Sequence, residues 1–315
     1  MQREKAGRKS FTLSSIYAIA PCLYIEMSNL VANSTKEPPV SMRPLEGVFF
    51  EDALQSETVD IYKLLQLSSM RQKDGLDEQK LYLTELVGLF SGPLTQSSDI
   101  PMAFRWEIDA KEYSSTSMLF ELYCTSLCLA EKLFASANNY KASIHLLEQC
   151  KVMLGEWKTA ELVYPACPYK CTKEYLDNLL YLTRASMLLA KKGASGMALA
   201  TAMSFAGKVG FHIPQFSDTA LNHYLLARSL LYHKVSQVEE PEQGEAANEA
   251  YTAAKESLAC CRLLDRSKCH IDTDIDTALN AMLEELPEFL QSMEQVYYSV
   301  EVPLESIRLP SSVQA

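Results

Sequence analysis

Apolar side chains recur at three- and four-residue steps along most of this chain. Leu119, Leu122, Tyr123, Leu127, Ala130 and Phe134 form one such stripe, and Leu147, Cys150, Leu154 and Trp157 form a second. Leu176, Leu180, Thr183, Met187 and Ala190 predict a third helix; Leu221, Tyr224, Leu225, Tyr232 and Val235 predict a fourth. A last stripe runs Leu279, Met282, Leu283, Leu286, Leu290, Met293 and Tyr297, with Pro287 marking a break or kink. This spacing keeps one face of a 3.6-residue helix apolar.

The intervals between stripes are short and carry helix-ending chemistry. Tyr164-Pro-Ala-Cys-Pro168 precedes Thr172, a predicted cap, and Gly193-Ala-Ser-Gly196 separates two further helices. Ile213-Pro-Gln-Phe-Ser-Asp218 predicts a turn with Ser217 as cap, and Glu239 to Glu245 an acidic surface loop. Helices joined this way pack as antiparallel neighbours, and a row of such hairpins gives an elongated, solenoid-like body. No fixed-period repeat is present, which argues against an array of identical repeats. The expected fold class is all-α, as one helical unit over about residues 44–310.

Composition agrees. Of 315 residues, 48% are apolar, while glycine (11) and proline (13) are sparse, which disfavours a sandwich or barrel. The only clear two-residue hairpin signal, Asp74-Gly75, has no alternating apolar strands beside it. The formal net charge of −11 lacks the basic face that duplex nucleic acid or an anionic membrane needs. Nine cysteines without regular spacing, five of them (Cys124, Cys128, Cys150, Cys260, Cys261) inside helical stretches, predict reduced thiols in a cytosolic protein. Residues 1–41 differ from the rest: Arg3, Lys5, Arg8 and Lys9 precede an apolar stretch from Phe11 to Ile25, and Pro38-Pro39 follows. They read as an unstructured leader, or a mis-assigned start with Met27 or Met42 as the true one; a targeting peptide is the alternative.

Catalytic signals are weak. Cys167-Pro-Tyr-Lys-Cys171 has the wrong gap for zinc and no second ligand pair nearby, and Cys269-His270 is the one adjacent Cys/His pair. The five histidines (His145, His212, His223, His233, His270) follow no nucleophile motif. No phosphate-binding glycine loop and no Gly-x-Ser-x-Gly elbow occurs. Acidic residues such as Glu284 and Glu285 fall on solvated helix faces. The chain therefore reads as a binding module without catalytic residues, metal or cofactor. A hidden Cys/His site would need Cys167, Cys171 and a histidine to converge.

Four segments, in order, carry one resemblance. Phe104-Arg-Trp106 with Asp109, then Ser117-Met-Leu-Phe-Glu121-Leu122, resembles the "Phe-x-Trp-x-Asp … Ser-Leu-x-Phe-Glu-Leu" opening of the Bro-type domain family, to which Alix, rhophilin and BROX belong. Tyr140-Lys141-Ala142 and the helix to Trp157 resemble "Leu-Lys-x-Ala … Ala-Gly-x-Phe". Leu182-Thr-Arg-Ala185-Ser-Met-Leu-Leu189 stands where the family has "Leu-Ala-Gln-Ala-Gln-Glu-x-Phe", and Val296-Tyr-Tyr298-Ser-Val-Glu-Val302-Pro303 resembles its closing "Phe-Ile-Tyr-His-x-x-Val-Pro". The departures are Arg184 and Ser186 for the two glutamines, Ser299 for the histidine, and an end soon after Val-Pro where members continue. Ser312 to Ala315 also lacks the prenylation cysteine of BROX-like members.

The resemblance implies a curved helical domain over 42–315 with a tetratricopeptide-like helical-hairpin core. It further implies a cytoplasmic, endosome-associated scaffold that binds the C-terminal amphipathic helix of an ESCRT-III subunit and meets membranes only through partners. Carried over by position, Lys141 is the groove lysine, Leu189 the groove phenylalanine, and Leu199 and Met203 the apolar pair on the next helix. Tyr298 corresponds to a tyrosine that can recruit a phosphotyrosine reader. Read as residues alone, Leu189, Leu199 and Met203 at helical spacing are more often core than groove, Lys141 is a solvated lysine, and Tyr298 a packed ring. A helical-repeat adaptor with unrelated clients is the competing function.

Overall fold

The computed structural model describes residues 42–49, 61–73, 75–90, 102–136, 139–157, 169–209, 214–237, 245–269 and 271–297. Helices dominate, in keeping with the expected class. Their order is α1 (Ile61–Arg71), α2 (Leu76–Phe90), α3 (Met118–Ala135), α4 (Tyr140–Trp157), α5 (Lys173–Leu189), α6 (Gly196–Lys208), α7 (Pro214–Ser236), α8 (Glu245–Leu263) and α9 (Thr273–Tyr297). The apolar stripes named above fall on α3, α4, α5, α7 and α9. Where one unit was expected, contacts divide the chain into two compact units, Glu37–Arg184 and, after a boundary inside α5, Ala185–Ala315.

Local chemistry explains several helix starts. Ser117 caps α3 by accepting from Phe120 N–H, Thr172 caps α5 by accepting from Tyr175 N–H at 3.2 Å, and Ser195 caps α6 by accepting from Ala198 N–H at 3.2 Å. Two expectations need correcting. The helix α7 begins at Pro214, so Ser217 lies inside it; proline suits a first helical position, where no N–H is required. The helix α9 is continuous past Pro287, so of the expected break or kink the break does not occur. A ring in mid-helix removes one N–H bond, and the apolar face of Leu279, Met282, Leu286 and Met293, all buried, holds both sides of that position.

The second unit is built on one apolar core drawn from α5 to α9, including Leu189, Leu199, Met203, Leu225, Leu258, Leu279 and Met282. Small residues let α7 and α8 approach closely. Ser229 Oγ donates to Ser257 O at 3.2 Å and Ser257 Oγ to Ser229 O at 2.9 Å, with Ala253 and Ala254 buried alongside.

The first unit contains a feature that the sequence reading lacked, a three-stranded antiparallel sheet in the order β1 (Met42–Phe49), β2 (Met102–Ile108), β3 (Lys111–Ser115). On β2, Phe104, Trp106 and Ile108 are buried, while Arg105 and Glu107 alternate with them and pair with Glu112 and Arg43. Strands β2 and β3 are joined through Asp109 and Ala110 alone, since Ile108 pairs with Lys111. Both turn residues have positive φ, 55° and 59°, the geometry of a type I′ hairpin turn. Glycine would normally occupy the second position, because an L side chain there crowds the carbonyl.

That turn gives a direct test. Ala110→Gly removes the left-handed penalty and should raise unfolding stability in urea by about 1 kcal/mol. A loss of stability would show that the Ala110 methyl contributes packing greater than the strain.

Candidate functional site

The most elaborate polar arrangement is in the first unit and centres on Glu121. This carboxylate is fully buried on α3. Arg71, the last residue of α1, donates to it through Nε at 2.6 Å and Nη2 at 3.1 Å. Tyr82 of α2 donates its hydroxyl at 2.7 Å, and Trp106 of β2 its indole N–H at 2.6 Å. The same guanidinium donates to Leu45 O on β1 and to Arg105 O on β2. Its plane also lies by the Trp106 and Phe104 rings, at 5.2 and 5.9 Å. Burial disfavours the arginine cation, but the charge and hydrogen bonds of Glu121 outweigh it, so Arg71 titrates above its ordinary value. Burial, and next the Glu121 charge, pushes the Tyr82 phenol well up, so it stays a neutral donor. Beside this node lies a cleft lined by Pro44, Arg71, Gln79, Tyr82, Trp106, Thr125 and Cys128.

A second, partly buried pair follows a similar plan. Lys170, 1% exposed on the short turn Tyr169–Cys171, donates to both Glu131 oxygens at 2.8 Å. Tyr175 also donates to Glu131, and Tyr123 donates to Lys170 O at 2.7 Å. The ammonium lies 5.6 Å from the Tyr175 ring centre. In the second unit, Arg228 donates to Glu256 at 2.9 Å and faces the Tyr224 and Tyr232 rings.

Of the described histidines, His223 is used between helices. Ser186 Oγ and His223 Nε2 are 2.7 Å apart, and His223 Nδ1 is 2.7 Å from Thr219 O. A carbonyl only accepts, so in the neutral ring Nδ1 carries the proton and Nε2 accepts from Ser186. This is the bonding of a serine–histidine dyad, but both side chains are 3% exposed within the core, where they tie α5 to α7. Cys269 Sγ lies 3.9 Å from the same ring, and burial, with Asp265 next, pushes its thiol up to about 12. Burial likewise raises Cys260 to about 12 and moves Cys124 and Cys150 well up, which removes the thiolate needed for nucleophilic attack. His145 and His233 each pair with a glutamine one turn on, at 3.0 Å. Among the described residues no group of three His, Cys, Asp or Glu side chains is placed to hold a metal ion. Cys171 is buried; Cys167, His212 and His270 lie outside the described residues. Glu284 and Glu285 are exposed, as expected of a solvated face.

The residues proposed for a partner groove do not form an open one. Leu189, Leu199 and Met203 are 3%, 1% and 3% exposed and belong to the second unit's core. Lys141 is exposed on α4, in the first unit. Tyr298 lies outside the described residues. The two altered positions of the Gln-Ala-Gln segment have their own partners: Arg184 donates to Glu148 at 2.7 Å, and Ser186 meets His223. The opening motif fares differently, since Phe104, Trp106 and Glu121 meet at one node. Sequence reading gave Arg71, Tyr82, Glu131 and Lys170 no role; single charges inside apolar stripes were the signal available.

Comparison with family models, curated proteins and solved structures gives no significant match.

Three substitutions check these assignments. Glu121→Gln keeps the shape but leaves the Arg71 cation uncompensated, and should cost about 3–5 kcal/mol in chemical unfolding. Leu199→Asp places an unpaired carboxylate in the core and should cost several kcal/mol, whereas Lys141→Ala should stay within about 0.5 kcal/mol of the unaltered chain. A Leu199→Asp protein of undiminished melting temperature would return that leucine to the surface.

Proposed function

We propose that this chain is a non-catalytic helical scaffold of the Bro type, acting in the cytoplasm on endosomal sorting by binding the C-terminal amphipathic helix of an ESCRT-III subunit. The observation that supports it is the meeting of Phe104, Trp106 and Glu121. These residues come from the two parts of the opening motif of the resemblance, and one hydrogen-bonded node gives both a common structural purpose. Helical surfaces recognise helices by laying an apolar stripe into a groove. A curved, tetratricopeptide-like arrangement of helical hairpins is the frame expected for such a groove. No described helix is long and apolar enough to cross a membrane. A scaffold of this kind would reach membranes through its partners. The cysteine and histidine environments support a non-catalytic role, because the raised thiols and the core-bound Ser186–His223 pair leave poor nucleophiles.

One observation favours a second reading, a helical adaptor with unrelated clients. The burial of Leu189, Leu199 and Met203 withdraws three of the four positions on which the ESCRT-III contact was mapped. Lys141 remains exposed and is the one of the four open to a partner.

The two readings separate in a titration of the full chain with a labelled peptide spanning an ESCRT-III C-terminal helix. The endosomal reading expects saturable binding that Lys141→Ala weakens by about tenfold, the loss of about 1.4 kcal/mol typical of a charge-assisted contact. No binding by the unaltered chain removes it and leaves the general adaptor.

A further inference from the structure

We infer that the cleft beside the Glu121 node is a binding site for one ordered water molecule, held between Gln79 and Thr125. Gln79 lies one turn before Tyr82 on α2, and Thr125 one turn after Glu121 on α3. They are 7% and 4% exposed, line the same cleft, and direct Gln79 Oε1 and Thr125 Oγ1 to positions where neither has a hydrogen-bond partner in the protein. Two buried polar atoms without partners, on residues that line one cleft, point to a ligand that satisfies both.

The orientation of Thr125 strengthens the case. A threonine inside a helix ordinarily bonds to the carbonyl four residues back. Thr84, Thr183, Thr201, Thr252 and Thr277 all do so, at 2.7 to 2.9 Å. Thr125 forgoes that bond.

The surroundings fix the chemistry. Gln79 Oε1 only accepts, so the ligand must donate. Neighbouring protons are committed: Tyr82, Trp106 and the Nε and Nη2 of Arg71 all serve Glu121. An anion would meet the Gln79 oxygen near the Glu121 carboxylate, and a cation would meet Arg71. A neutral donor and acceptor satisfies every side. The cleft measures about 210 Å³ counted out to its mouth, and its enclosed part admits about one water molecule, enough for a polar site to hold solvent. The water links α2 to α3 directly behind the ion pair.

A crystal structure of the full chain at a resolution that resolves solvent should show an ordered oxygen within hydrogen-bond distance of both Gln79 Oε1 and Thr125 Oγ1. Thr125→Ser should retain that oxygen. Thr125→Val, nearly the same shape, takes a partner from the water and should lower the melting temperature. A Thr125 side chain rotated to donate to Glu121 O with no solvent beside Gln79 would overturn the inference. So would a Thr125→Val protein of equal or higher melting temperature, because removing a hydroxyl that bonds to nothing relieves a penalty.

Discussion

The first unit depends on a single constraint: the Arg71 and Glu121 charges are tolerated in its interior only if every one of their bonds is made. Five elements must arrive together to make them. Helix α1 delivers the guanidinium, α3 the carboxylate, α2 the Tyr82 hydroxyl, β2 the Trp106 indole and the Arg105 carbonyl, and β1 the Leu45 carbonyl. Apolar burial supplies the drive to collapse, but it is indifferent to small slips in register. A desolvated ion pair is not, because a missing partner leaves a bare charge. The node thereby aligns the small sheet against the helices that follow it, and its contribution lies more in that alignment than in net stability.

The second unit is organised differently. Its core centres on one apolar cluster, with α7 and α8 drawn together by alanines and by the reciprocal Ser229 and Ser257 bonds. Of its charged pairs among the described residues, Arg228 with Glu256 is the most buried, and even there the glutamate is partly exposed. Here shape and small residues fix the packing, and the polar bonds finish it.

This contrast explains what could be read from the sequence. Stripes such as Leu221 to Val235 and Leu279 to Tyr297 are long enough for period to decide the element, and they are helices. Strand β2 carries a real two-residue alternation, Phe104, Trp106 and Ile108 against Arg105 and Glu107. It was hidden by its brevity and by a turn, Asp109-Ala110, whose residues do not advertise positive φ. The cap at Thr172 was legible because its oxygen acts on the next few residues, whereas the start at Pro214 was masked by a serine of better capping chemistry. The partner groove failed for a deeper reason. An apolar residue facing a bound helix and one facing its own core have the same spacing, so Leu189, Leu199 and Met203 could not be told apart without the fold. Buried charges are likewise invisible, because nothing in one dimension marks Arg71 and Glu121, fifty residues apart, as partners.

The seven cysteines among the described residues carry a practical consequence. Each of Cys124, Cys128, Cys150 and Cys171 in the first unit, and Cys260 and Cys261 in the second, is buried, and those whose acidity is altered are shifted away from the thiolate. A sulfur in that condition reacts with an alkylating reagent only when its surroundings open. The chain thus contains its own clocks. The time course of labelling at Cys150 reports how often the surroundings of that residue in the first unit open, and that at Cys260 reports the same for the second.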